Sequence, residues 1–275
     1  MKPSKQVLED MAPYQWIVYS TPRGLSGPQM GTAAGQSTEF MDHRVYVAGD
    51  DVRRIDWNAT ARTDQLLIKR YQEEIRPSVV LLVDDSKSMA VYDDKLERVT
   101  EGVAWIHQSL SNLEASSKVI RLHQGSLVVE QSLRGDWTPE SSWSLSEGLS
   151  KRIIEIPQGA HAILLTDLLS PHEPSRMASL LRQRAHRCTV IQILGKEDWE
   201  FESGTFQVQD SETGQMMQLT LDESDIEQYH ARIEQLRSDW RDALAGWGDV
   251  VVMQAPVSWK EMGRDLLQLG LVEVV

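Results

Sequence analysis

The chain has 275 residues, 41% of them hydrophobic and 25% charged, with 41 acidic against 28 basic side chains for a net charge of −13. That length holds one large domain or two small ones around a core that needs no staples. The negative balance argues against nonspecific nucleic-acid binding and against lying on an anionic membrane, since both rest on cationic contacts.

The single cysteine, Cys188, excludes an internal disulfide. Set beside Thr189, Val190, Ile191 and Ile193, it reads as an inert core thiol. No apolar run approaches the ~20 residues of a membrane span, and the N-terminus lacks the apolar core of a signal peptide. The expectation is a cytoplasmic chain without membrane insertion.

In chain order, Lys5–Met11 reads as a short helix, residues 21–38 (rich in Gly, Ser, Pro and Thr) as loop, and residues 39–58 as irregular and charged. Leu66–Tyr71 alternates as a strand. Val79–Val83 is an apolar run of the kind buried on both faces. Over residues 94–113, Leu96, Val99, Val103, Ile106, Leu110 and Leu113 recur at spacings of three and four, the apolar stripe of a helix.

Lys118–His123 and Ser126–Gln131 read as short strands about a Gln124-Gly125 turn. Ser142–Ile153 follows as a helix, Ala162–Thr166 as a second buried strand, residues 172–184 as a helix and 187–194 as a strand. Thr205–Asp210 and Gln215–Leu221 make a hairpin about Ser211-Glu212-Thr213-Gly214. Ile226, Tyr229, Ile233, Leu236, Trp240, Ala243 and Trp247 mark the clearest helical stripe, suited to packing on a sheet, with Gly248 as its terminator. Val250–Met253 is a last strand, and Ser258-x-x-Glu261 is a capping box for a helix through Leu269.

Strands alternating with helices predict an α/β fold: a doubly wound, mostly parallel sheet with helices on both faces and a β-hairpin inserted at about residues 204–221. Residues 1–75 read as an N-terminal extension packed on a main domain over 76–275. The order of elements is that of a von Willebrand factor A-like domain.

The chemistry concentrates at strand ends. The Val79–Val83 run stops at Asp84-Asp85-Ser86-Lys87-Ser88, an Asp-x-Ser-x-Ser pattern, and Ala162–Thr166 stops at Asp167. Parallel strands carry their sites at their C-terminal ends. Asp84, Ser86 and Ser88 are hard oxygen donors suited to Mg²⁺ or Mn²⁺. The competing reading has the same side chains capping backbone amides in tight turns.

A second stretch holds Arg44-x-Tyr46, then Gly49-Asp50-Asp51-x-Arg53-Arg54-Ile55-Asp56-Trp57-Asn58-Ala59, then Arg62. Its alternating Asp and Arg residues read as a salt-bridged clasp tying the N-terminal segment to the sheet and, alternatively, as a partner-facing surface. Together with Leu67-x-Lys69, Glu73-Glu74 and the Asp-x-Ser-x-Ser strand, it closely resembles the domain-of-unknown-function 58 family.

That resemblance implies a von Willebrand factor A-like fold and a MoxR-type AAA+ ATPase, or a client it remodels, as partner. It also implies a metal-ion-dependent adhesion site in which Asp167 joins Asp84, Ser86 and Ser88. The family's remaining ligand, a threonine five residues before Gly-Leu, aligns with Trp143. Thr138, Ser142 and Ser144 are the nearby substitutes.

The favoured expectation is therefore a noncatalytic adaptor that binds a partner carboxylate through the ion. A metal-free scaffold is the runner-up, using the Arg/Asp segment and the Trp-bearing helix as its contact surface. A metal-dependent hydrolase comes third. A dehalogenase-type phosphatase needs a second Asp where Ser86 stands, and no serine-hydrolase or phosphate-loop motif is present. None of the seven histidines has metal-ligand spacing.

Overall fold

The computed structural model describes residues 5–18, 40–63, 65–71, 78–113, 115–123, 125–127, 144–211 and 213–275. They form two units, one of Met1–Thr21 with Pro77–Val275 and a smaller one of Pro22–Arg76.

The first unit opens with helix α1 (Lys5–Met11) and strand β1 (Tyr14–Trp16), whose Met11 and Trp16 are fully buried. The smaller unit holds β2 (Phe40–Val45), a 3₁₀ turn at Val52–Arg54, α2 (Trp57–Thr63) and β3 (Leu67–Tyr71), with β2 and β3 paired antiparallel. α1 and β1, expected as part of an extension over residues 1–75, group instead with the larger unit, and residues 22–76 form the smaller one. The charged stretch 39–58 is also more ordered than its polarity predicts.

The larger unit continues through β4 (Ser78–Val83), α3 (Asp93–Asn112), β5 (Ser116–Arg121), β6 (Gly125–Leu127), α4 (Leu145–Arg152), β7 (Ala160–Thr166), α5 (Pro174–Arg182) and β8 (Ala185–Leu194). It ends with β9 (Gly204–Gln209), β10 (Met216–Leu221), α6 (Glu223–Ala243), β11 (Gly248–Gln254), α7 (Trp259–Gln268) and β12 (Val272–Val274).

The main sheet has the order β11-β8-β7-β4-β5-β6. All pairs are parallel except β5 with β6. The result is an α/β fold. β4 shows why its sequence is uninterrupted: Val79, Leu81 and Val83 enter one core, and Val80 and Leu82 enter the other. The first core is closed by Val99, Val103, Ile106 and Leu110 of α3 and by Trp259, Met262 and Leu266 of α7. The second is closed by Leu145 and Leu149 of α4, Met177 and Leu181 of α5, and Trp240 of α6. The periodic stripes of α3 and α6 are thus core faces.

β9 and β10 pair antiparallel as a separate two-stranded sheet, the hairpin expected at 204–221. β1 pairs with β12. Gly248 does not end α6, as its position suggested. It opens β11, where a Cβ would run into the Cys188 carbonyl of β8. No helix of the described residues is long and apolar enough to cross a membrane.

The chain enters the sheet in the middle at β4, builds out to β5 and β6, then crosses to the other side for β7, β8 and β11. β4 and β7 therefore flank the point where strand order reverses. In open α/β sheets the crevice for a ligand lies outside the C-terminal ends of such a pair.

Candidate functional site at the ends of β4 and β7

The loops leaving β4 and β7 are built alike. Asp84 Oδ1 accepts the Ser86 amide at 3.0 Å, and Asp167 Oδ1 accepts the Leu169 amide at 2.9 Å. A carboxylate that bonds the amide two residues on fixes a turn locally. One oxygen of each aspartate is thereby committed to its own loop, as the capping reading expected.

The second oxygens do something else. Asp84 Oδ2 accepts the Thr166 hydroxyl at 2.7 Å, which ties the end of β7 to the end of β4. Thr166 Oγ1 in turn accepts the Leu168 amide at 3.1 Å, and Leu168 sits at a left-handed φ of 61°. The Ser86 and Ser88 hydroxyls lie 3.0 Å apart at the start of a 3₁₀ turn over Lys87–Ala90. The structure so brings Asp84, Ser86, Ser88 and Asp167 to one end of the sheet.

Two residues that sequence reasoning missed complete the group. Lys95, in the first turn of α3, is 1% exposed. Its Nζ lies 3.0 Å from Asp167 Oδ2 and 2.8 Å from Asp198 Oδ2, and it donates to the Ser88 carbonyl at 3.1 Å. Asp198 is held by the Gly195 amide at 2.9 Å, and its carbonyl accepts the Tyr229 hydroxyl of α6 at 2.8 Å. A signal for Lys95 did exist. A cation in a helix's first turn opposes the helix dipole, so it needs another reason to be there. Asp198, in the loop after β8, carried no comparable mark.

The charges explain the electrostatics. Burial pushes the Asp84 carboxyl up, the negative Asp167 adds to this, and the result is about 6 despite the Thr166 and Ser86 hydrogen bonds. Burial pulls the Lys95 ammonium down, but Asp167 and Asp198 together outweigh it and hold it above its ordinary value. Burial raises Asp198 although Lys95 opposes it. One ammonium divided between two carboxylates gains both attractions, while each carboxylate gains only a share of one cation.

A hard divalent ion needs oxygen ligands and matching negative charge. The strand ends supply both. Asp84, Ser86, Ser88 and Asp167 are all oxygen donors. With Asp84 ionised, three carboxylates exceed the Lys95 ammonium by two charges. The donor set therefore fits Mg²⁺ or Mn²⁺ in kind. Among the described residues, however, no three His, Cys, Asp or Glu side chains gather to hold a metal, and the second oxygen of Asp167 is in contact with Lys95.

The substitutes for the missing threonine divide. Thr138 and Ser142, like Trp143, lie outside the described residues. Ser144 is the N-cap of α4: its hydroxyl accepts the Glu147 amide at 3.3 Å, and Glu147 reaches back to the Ser144 amide at 3.0 Å.

The flanking polar groups are structural. Asp85 is buried and takes both the His123 amide, at 2.8 Å, and His123 Nδ1, at 2.7 Å, pinning the loop after β4 to the end of β5. His172 Nδ1 faces the Ser170 carbonyl at 2.7 Å while its Nε2 accepts Trp240 Nε1–H at 2.8 Å. A carbonyl requires a donor, so this imidazole is neutral with its proton on Nδ1. Burial likewise lowers its pKa.

The Arg/Asp segment lies in the smaller unit. Arg44 clamps Asp50 through two bonds of 2.8 and 2.6 Å, and Asp50 also accepts the Val47 amide. Gly49, at φ 109°, permits that turn. Asp51 caps the 3₁₀ turn and pairs with Arg53. Asp56 accepts the Asn58 and Ala59 amides at the start of α2 and faces His43 and Lys69; the His43 bond first, then the Ala59 amide and Lys69, hold its carboxyl down at about 2. Tyr46 contributes a backbone bond to Leu66. Arg54, Trp57 and Arg62 are exposed, Trp57 by 66%. The aspartates fix local turns within the smaller unit, and the last three residues are exposed.

Two curated proteins are similar to this chain at a distance. The chain is 23% identical over 247 residues to uncharacterized protein Mb1516 of Mycobacterium bovis and to uncharacterized protein Rv1480 of Mycobacterium tuberculosis, covering 82% of this chain and 76% of each relative. No solved structure matches. Residues 42–129, from the Arg/Asp segment through the Asp84 loop to β6, match the family described as "Protein of unknown function DUF58".

Proposed function

We propose that the chain is a noncatalytic protein-binding adaptor of von Willebrand factor A-like build. Its β4 and β7 ends would receive a partner's aspartate or glutamate. The observation that carries this reading is the excess of carboxylate over ammonium beside two paired serine hydroxyls, at the point where strand order reverses. Asp84, Ser86, Ser88 and Asp167 would hold Mg²⁺ or Mn²⁺, which when bound supplies a coordination position that a partner carboxylate can fill. The Asx turns hold Asp84 and Asp167 in place beforehand, and burial excludes competing water.

The resemblance to the family makes a MoxR-type AAA+ ATPase, or its client, the first candidate partner, in the cytoplasm. A metal-free scaffold is the second reading, favoured by the same turns and by the Lys95 contact.

Thermal unfolding of the purified chain with and without millimolar MgCl₂ separates the two. The adaptor reading expects a stabilising shift that Asp84→Ala abolishes. An equal shift in wild type and Asp84→Ala, or none in either, would sink it. Capture of the purified ATPase by wild type but not by Ser86→Ala/Ser88→Ala then tests whether the site meets the partner.

A further inference from the structure

Lys95 is unfavourable where it sits unless its surroundings compensate. Its ammonium is almost fully out of water, a costly transfer unless close acceptors offset it. Three acceptors surround it, one for each of its protons: Asp198 Oδ2, Asp167 Oδ2 and the Ser88 carbonyl. They come from three different loops, after β8, β7 and β4, which Lys95 holds together. Two of the three loops carry the donors assigned above to a divalent ion.

Two cations cannot both take full hold of the Asp167 carboxylate, whose other oxygen is committed to the Leu169 amide. Asp198 differs. It is not in the Asp-x-Ser-x-Ser set, it makes the shorter contact with Lys95, and the Gly195 amide and the Tyr229 bond keep it in position whatever Asp167 does.

We propose that Lys95 is a tethered cation that competes with the divalent ion for Asp167, with Asp198 as the carboxylate that retains it when the ion binds. This rests on the divalent-ion reading of the site. In the metal-free chain the ammonium neutralises part of the carboxylate cluster and keeps the three loops closed. Metal loading transfers Lys95 wholly to Asp198. Affinity for the ion is then set by Lys95 as much as by the ligands, and the site releases its ion readily.

Calorimetric titration with MgCl₂ and MnCl₂ tests this on wild type and Lys95→Gln, each checked for folding by circular dichroism. The expected result is binding by both, at least tenfold tighter in Lys95→Gln. Binding by Lys95→Gln alone also supports competition, while overturning the divalent-ion reading for the native chain. Equal affinity, or weaker binding by the variant, overturns competition and leaves that reading standing. Binding by neither folded protein overturns both.

Should Lys95→Gln not fold, the Lys95 ammonium of wild type, followed by ¹⁵N NMR during the MgCl₂ titration, decides instead. A signal change that saturates with metal binding supports the exchange of partners. An unchanged signal while metal binds overturns it.

Discussion

Thr166 donates its hydroxyl to Asp84 across the junction of β7 and β4, at 2.7 Å, and accepts the Leu168 amide with the same oxygen. One side chain therefore satisfies a buried carboxylate and holds a left-handed turn. Thr166→Val keeps the shape and removes both bonds, so it should cost about 1–3 kcal/mol, the range for leaving a buried polar partner unsatisfied. Thr166→Ser keeps both and should cost less. Urea unfolding of the two variants checks this; a lower midpoint for Thr166→Ser than for Thr166→Val would show that the methyl, not the hydroxyl, matters.

Asp84 gives the site a pH dependence of definite sign. Its folded value of about 6 lies above the ordinary 3.8, so the folded chain binds the extra proton between them. Its contribution to stability is complete below the unfolded value and is lost as pH rises through about 6. Asp84→Asn removes the buried charge and keeps an acceptor. In metal-free buffer it should stabilise the chain by about 2–3 kcal/mol at pH 7, since each tenfold change in a proton's binding constant corresponds to roughly 1.4 kcal/mol. That gain should vanish below pH 4. Urea midpoints at both pH values read it, and a loss at pH 7 would show that the charge is needed.

Gly102 on α3 lies against the Trp259 ring of α7, and a Cβ there would overlap the ring. Trp259 cannot step aside freely: it is buried, and its Nε1–H is bonded to the Arg98 carbonyl at 2.9 Å. Gly102→Ala should therefore destabilise by about 1–3 kcal/mol, the usual cost of overpacking. Gly148→Ala, whose nearest new neighbour is Leu122 Cβ at 3.0 Å, should cost less. Denaturation midpoints rank the pair.

In the smaller unit, the Arg44 fork holds the Asp50 carboxyl below the usual range, and the Val47 amide assists. Lys cannot reproduce a two-bond fork. Arg44→Lys should move the Asp50 titration upward, measurable by carbon NMR of its carboxyl. An unchanged midpoint would assign the effect to the Val47 amide alone.

What could be read from sequence follows burial. β4 was legible because a strand covered on both faces must be apolar throughout, and α3 because its stripe repeats every three to four residues. β2 and α2 were not, since residues such as Val45, Val47 and Trp57 are exposed and impose no period. The Asp84 loop stood out as a local pattern. The Lys95 and Asp198 pairing depends on the path of β8, so no window of sequence around either residue contains it. Gly248 was misread because a helix stop and a tight strand start look alike in one letter.

The hairpin β9–β10 leads directly into α6, a stiff rod of about 30 Å for its 21 residues. That rod touches the strand-end loops at several points: Tyr229 at the Asp198 carbonyl, Arg237 through Gln192 to the Asp167 carbonyl, and Trp240 at His172. The hairpin's apolar ladder of Phe206, Leu219 and Met217 stands at the rod's free end, exposed. One helix therefore carries the hairpin at its N-terminal end and, along its length, the side chains that bond to or lead to the Asp198 and Asp167 carbonyls.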